Sequence, residues 1–181
     1  MNEIRYETFQ RDVDYRLPSV FLAGPTVRGN QPHLTSWRNE AIELFAEKCF
    51  SGNLIIPEFT NKYESDQHRY DLPIWEFEGL RKSDVIMFWI PRTRELIGLT
   101  TNHELGYWMG RKRDKIVYGR PNDAYRMAYL DTMWVEDLKD RENKNAGATI
   151  YTTLEKTVSA SVDLALEIWH KKRNCVSKLL N

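Results

Sequence analysis

Four apolar runs of strand length, SVFLA (19–23), NLIIP (53–57), VIMFWI (85–90) and KIVYG (115–119), punctuate the chain. Each reads as a buried strand, closed by glycine or proline in the first two cases. Between the runs the period changes. From Thr35 onwards Trp37, Ala41, Leu44, Phe45 and Cys49 recur at three- and four-residue spacing, which predicts a helix. Asp71 as a cap, Pro73 in a first turn, and Ile74, Phe77 and Leu80 on one face predict a second. TTNHELGYWMG (100–110) opens a third, and DAYRMAYL (123–130) is a short amphipathic fourth. ATIYTT (148–153) is the last expected strand, and SASVDLALEIWHKKRN (159–174) closes the chain as a helix with basic residues in its last turn. Strands alternating with helices imply βαβ units. The expected class is therefore α/β: a doubly wound parallel sheet of about five strands with helices on both faces. The 181 residues fit one domain, with residues 1–17 as an N-terminal extension.

Charge and composition narrow the function. Lysine plus arginine number 26 and aspartate plus glutamate 26. With no long basic block, duplex nucleic acid is not an expected partner, because that affinity rests largely on phosphate neutralisation. Small nucleotides need only a few local arginines. The first stretch, MNEIRYETFQRDVDYR, is charged throughout and lacks the apolar centre of a signal peptide. No apolar run approaches membrane-spanning length, so no membrane partner is expected. Cys49 and Cys175 lie far apart and outside any CxxC or Cys/His cluster, which predicts two free thiols in a reducing cytoplasm. The histidines at 33, 68, 103 and 170 show no metal-ligand spacing, so neither metal nor cofactor is inferred.

In a doubly wound sheet, ligands bind at the carboxyl ends of the strands, near the point where strand order reverses. Three loops meet there: AGPTVRGN (23–30), the long polar segment after NLIIP, and PRTRELIGL (91–99) with the helix start behind it. In the first loop Gly24 permits close backbone approach, Thr26 supplies a hydroxyl and Arg28 a charge for phosphate or carboxylate. It matches neither GxGxxG nor a Walker loop. An ordinary strand-to-helix turn explains it equally. Glu104 also has two readings. Thr101 to Glu104 fits a capping box, a structural role; its position in the crevice, where a helix N-terminus keeps a carboxylate ionised, suits a nucleophile at a sugar carbon. Glu76 is either an acidic residue of a first helical turn or the acid/base partner of Glu104, as in glycosidases. Trp75 beside it needs a partner for its N–H if buried.

FLAGPT after the first strand, SWR opening the first helix, LIIPE, WEFEGLRKSDVIMFWIP and TNHELG, in this order, resemble the nucleoside 2-deoxyribosyltransferase-like family. The resemblance runs from the first strand through KIVYGRP and agrees with a flavodoxin-like sheet. It implies that Glu104, in its E-L-G sequence, attacks the anomeric carbon of a nucleoside, and that Glu76 helps protonate the nucleobase. It further implies that Gly24, Pro25 and Thr26 lie beside the substrate; Arg28, Trp75 and Asn102 complete the expected substrate-binding set. The expected partners are a nucleoside or nucleotide and a free nucleobase, within a homo-oligomer whose neighbours complete each site. Two features depart from the family. The loop PRTRELIGLTTN offers Glu95 as its one carboxylate where characterised transferases place an acid for the sugar hydroxyls. Arg28, Arg92 and Arg94 also make the neighbourhood more cationic than a neutral nucleoside needs. Sugar transfer between bases is therefore the first expectation and hydrolysis of nucleoside 5′-monophosphates the second; a nucleotide-binding module without turnover is the third.

Overall fold

A computed structural model describes residues 13–28, 31, 33–58, 66–139 and 149–179, together with the backbone of residues 4–7; the side chains of residues 66–70, 138–139 and 176–179 are not described. The strands are β1 (Ile4–Glu7), β2 (Ser19–Ala23), β3 (Asn53–Ile56), β4 (Val85–Trp89) and β5 (Ile116–Gly119). The helices are α1 (Trp37–Glu47), α2 (Asp66–Lys82), α3 (Leu99–Lys112), α4 (Ala128–Lys139) and α5 (Leu154–Leu179). The sheet order is β1-β3-β2-β4-β5, and every pairing is parallel.

Strand residues alternate cleanly between two apolar layers. Val20, Leu22, Leu54, Val85, Met87 and Val117 join α1 and α5 on one face. Phe21, Ala23, Ile55, Ile86, Phe88, Ile116 and Tyr118 join α2, α3 and α4 on the other. This period-two division is why the strands read as continuous apolar runs: both of their faces are covered. After β2 the chain steps to one side to form β3, then crosses back to form β4 on the other side. The order therefore reverses between β2 and β4, and their carboxyl ends diverge there to leave a crevice.

Four of the five expected strands form. The fifth, ATIYTT, does not: only Tyr151 pairs, through a single parallel bridge to Gly119. It is replaced by β1, four residues of the charged segment expected to be an extension, which adds to the outer edge of β3. An edge strand can carry charge because one flank of it stays wet, so the lack of apolar periodicity hid it. Two helices also begin elsewhere than expected. α2 starts at Asp66, so Pro73 lies inside it rather than in its first turn, and the polar loop before it is shorter than it reads. DAYRMAYL contributes only its last residues to α4, which runs on to Lys139. No helix among the described residues is long and apolar enough to cross a membrane.

Candidate active site

The floor of the crevice is built by an arginine in the first turn of α1. Arg38 is only 1 % exposed. Its Nε donates to Leu22 O at 3.0 Å, its NH2 to Gly24 O at 3.0 Å, and its NH1 to Thr26 Oγ1 at 3.3 Å and to Glu58 Oε1 at 3.0 Å. Glu58, just past β3, also accepts from Ser36 Oγ, which caps α1. Trp37 Nε1 donates to Pro25 O at 3.0 Å. A planar fork of five donors suits this task, since it can hold several carbonyls of one turn at once. The loop Gly24–Thr26 is thus fixed from below. Neither Arg38 nor Glu58 was singled out from sequence; the signal lay in the pieces SWR and LIIPE, whose polar residues sit against apolar ones without a helical or strand period.

Gly24 serves this packing. Its φ is +152°, and a Cβ there would lie 2.2 Å from Trp89 O and 2.9 Å from the Trp37 ring. The space opened by the missing side chain is filled by the end of β4, so the close approach expected towards a ligand is made to the protein's own backbone. Gly98 does the same for α3. It caps that helix in the left-handed conformation, φ +63°, and a Cβ would meet Pro25 at 2.7 Å. The start of α3 is thereby pressed against the β2 loop.

This start corrects the capping-box reading of Glu104. α3 begins at Leu99, and Thr101 and Glu104 both lie within it. Glu104 is the sixth helical residue, too far in to bond back to a cap. Its position is set sideways. Leu105, Trp108 and Met109 are buried against the sheet, and Phe77 of α2 packs on Tyr107 and Trp108 with centroids 5.8 and 5.4 Å away. Lys112 donates to the last carbonyls of α2, Leu80 O and Arg81 O. Leu80 is buried, and Glu76 lies one turn before it on the same face. The two helices are therefore clamped side by side, with Glu76 past the middle of α2 and Glu104 in the N-terminal half of α3.

Both carboxyls are half-buried. Burial pushes Glu104 up to about 7; Glu76 adds to the rise and Arg38 opposes it. Burial likewise pushes Glu76 up to about 7, against the pull of Arg38. The helix N-terminus is expected to keep Glu104 ionised; burial works against that. Arg38 has already committed its donors to the loop, so it acts on the pair through charge alone. Among the described residues neither Glu76 nor Glu104 has a hydrogen bond or an ion pair to its side chain. Two acids that share a crevice and titrate near neutrality can together hold one proton at pH 7.

The other expected site residues are spread around this pair. Pro25 is buried beneath Gly98, and Thr26 is exposed at the rim. Trp75 is partly buried against the apolar layer under α2 and α3. Asn102 lies on the opposite flank of α3 from Glu104 and accepts a hydrogen bond from Arg92 NH2. Arg28 is exposed; its backbone is tied to Gln31, and its side chain makes no ion pair among the described residues. Glu95 lies at the rim. It is 62 % exposed and pairs with His33 Nε2 at 2.7 Å, linking the rims of two loops. His103 is exposed, with its ring stacked towards Tyr107. Residues 59–65 of the polar loop lie outside the described residues. No group of three or more His, Cys, Asp or Glu side chains among the described residues is placed to hold a metal ion.

Comparison with curated proteins gave no match. Comparison with protein families matched residues 17–122 to the family described as nucleoside 2-deoxyribosyltransferase like, a family of enzymes that act, at the coarse level, on the N-glycosidic bond. The matched span begins just before β2 and ends just after β5. It contains the Arg38-bound loop, Glu76 and Glu104, and covers more than half of the 181 residues: the chain belongs to the nucleoside 2-deoxyribosyltransferase-like family.

Proposed function

We propose that the protein cleaves the N-glycosidic bond of a 2-deoxynucleoside through a covalent glycosyl–Glu104 intermediate and transfers the sugar to a second base. The observation that carries this reading is the pair of half-buried carboxyls, Glu76 and Glu104, left unbonded beside an arginine whose three nitrogens each donate elsewhere. A buried polar group without a partner is costly to keep, and here the cost falls on two acids that open onto one crevice.

The roles follow from the shared proton. Ionised Glu104 attacks the anomeric carbon, the C–N bond breaks, and its electron pair leaves with the base while Glu76 delivers a proton to that base. The resulting ester is then opened by a second base, whose lost proton returns to Glu76. Each step inverts the sugar carbon, so the product keeps the starting configuration. Water in place of the second base gives hydrolysis by the same route. An apolar row on α2, Ile74 (65 % exposed) and Phe77 (43 % exposed), supports assembly with further copies of the chain.

The test is intact-protein mass spectrometry after a brief pulse of deoxynucleoside. The expected result is a deoxyribosyl adduct that maps to Glu104, is chased by free base, and is absent from Glu104→Gln. Base exchange at near-parental rate by Glu104→Gln would rule the assignment out. Binding of nucleosides without any turnover would leave a binding module instead.

A further inference from the structure

A buried charge is normally matched by an opposite one, and a cation is unfavourable beside the N-terminus of a helix. Arg92 departs from both rules. It lies just past β4 and is 6 % exposed. Among the described residues its side chain makes one hydrogen bond, from NH2 to Asn102 Oδ1 in the first turns of α3, and no ion pair. Its Nε is sealed from solvent with no acceptor. Acids on neighbouring elements are engaged elsewhere. Asp131 of α4 accepts from Tyr118 OH at 2.7 Å and from Arg120 NH2 at 2.6 Å, and Glu95 is held by His33. A guanidinium that stabilises the fold so little has to be explained by what it holds in place.

What it holds is the least supported part of α3. Gly98 caps that helix without a side-chain bond, and its first turn contains no acidic residue. Leu99 is 76 % exposed, and Thr100 and His103 face solvent too. A first turn of this kind frays, since its leading N–H groups lack partners and little of it is packed. Two features stand against fraying. Thr101 is buried behind Gly98, which is pressed on Pro25, and Asn102 is tied to Arg92. The arginine is itself well anchored: its N–H donates to Ile90 O at 2.8 Å, and its carbonyl accepts from Tyr125 N at 2.9 Å. The tie therefore runs from the end of a strand paired on both sides to the start of α3. Glu104 depends on that start directly, because in an α-helix its N–H bonds to the carbonyl of Thr100. Asn102, two residues earlier, is rotated by about 200° from Glu104, so the tie leaves the crevice side of the helix clear.

We infer that Arg92 is a positioning residue, which through Asn102 fixes the turn of α3 that carries Glu104. Asn102 then serves the helix, in place of the substrate contact expected of it. The charges that bear on Glu104 are those of Glu76 and Arg38, so Arg92 acts on it through the helix backbone. That the start of α3 is held in this way stands on the contacts alone; that turnover depends on it rests on the sugar-transfer reading.

Two measurements on the whole chain separate these: amide hydrogen exchange along α3, and steady-state base exchange with 2-deoxynucleosides and free base. Arg92→Gln and Asn102→Ala should each speed exchange at His103 and Glu104 by about tenfold or more, with Trp108 to Lys112 near parental. Each should lower kcat by about tenfold to a hundredfold, with KM and the pH optimum close to parental. The double variant should lose no more than either single one, since the same tie is broken in all three. Asn102→Asp, which keeps an oxygen for the guanidinium, should recover most of the rate that Asn102→Ala loses. Melting temperatures should stay near parental, because removing an unmatched buried charge offsets the lost bond. A large fall in both single variants would mark the pair as a structural joint and overturn the role. Unchanged exchange at His103 and Glu104 in Arg92→Gln would overturn the tie itself. Faster exchange with parental kcat, or losses that add in the double variant, would overturn the positioning role with the sugar-transfer reading intact. A raised KM with parental kcat in Asn102→Ala would return Asn102 to the substrate. A parent protein that forms no sugar adduct on Glu104 would defeat the sugar-transfer reading and the role with it, while the exchange data would still decide the tie.

Discussion

At the amino end of the sheet Asp84, 1 % exposed, accepts from Ser19 N at 3.0 Å and Ser19 Oγ at 2.9 Å and pairs with Lys172 of α5. At the carboxyl end Glu76 and Glu104 are half-buried and accept nothing from the described residues. The same residue class is thus used in two ways within one fold. Asp84 closes a joint between β2, β4 and α5, and its charge is consumed by that joint. The two glutamates keep their lone pairs free, and burial holds their protons to about pH 7. An acid whose partners are all protein groups stabilises; an acid kept without them is available for chemistry.

The largest effect that would break this comparison is on turnover. Glu104→Gln should lower base exchange or hydrolysis by about 10⁴-fold or more, roughly 5.5 kcal/mol of barrier, while the melting temperature stays level or rises. Asp84→Ala should do the reverse: turnover per folded molecule near parental, and stability lower by roughly 2–4 kcal/mol because Ser19 N–H and Oγ lose their buried acceptor. Urea unfolding and single-turnover rates on both variants give the two numbers for each. If Asp84→Ala silenced the enzyme while Glu104→Gln destabilised it, the division of labour drawn here would be inverted.

The next effect sharpens the electrostatic half of the contrast. A carboxyl whose native value lies above its unfolded one still holds a proton that the unfolded chain has released. Its contribution to stability is full below about 4.5, falls as the pH rises towards 7, and is gone above that. Replacing Glu104 or Glu76 by Gln should therefore stabilise the protein at pH 8 by about 1–3 kcal/mol and leave it unchanged at pH 4. The two gains should not add, because the acids titrate as a pair. The proposed mechanism uses one member ionised and the other protonated, so kcat/KM should trace a bell centred near pH 7. Denaturant midpoints that do not diverge between pH 4 and pH 8 would show that neither acid is desolvated.

Much of this contrast was legible in the sequence, and the part that was not has a common cause. β2 to β5 announced themselves because strands covered on both faces are apolar at nearly every position. Glu76 and Glu104 could be picked out because each read, from the sequence pattern, as standing near the beginning of a helix. What pattern reading missed were features that tertiary contact decides. The segment around Ile4–Glu7 has no period because an edge strand is half wet. Arg38 reads as a surface helix residue until the β2 loop folds over it. The start of α3 moved forward because Gly98, with its positive φ, can cap a helix with no side chain at all. That shift is what turned Glu104 from a capping residue into one inside the helix, and no local rule would have supplied it.

The smallest expected effect concerns the turn between the two regions. Gly24→Ala would place a methyl group 2.2 Å from Trp89 O at a φ of +152°. The backbone carbonyl cannot rotate aside as a side chain can, so the β2 loop itself must lift, at about 1–3 kcal/mol. Arg38 is bonded to three carbonyls and a hydroxyl of that turn, and lifting it would disturb the cation that faces both glutamates while Asp84 stays unaffected at the far end. The variant should therefore lose modest stability and move the bell of kcat/KM to higher pH, since Arg38 is what restrains the rise of Glu76 and Glu104. A loss of stability with no movement of the bell would mean that the loop can shift without taking Arg38 along, and that the charge beneath the carboxyls is held by Leu22 and Glu58 alone.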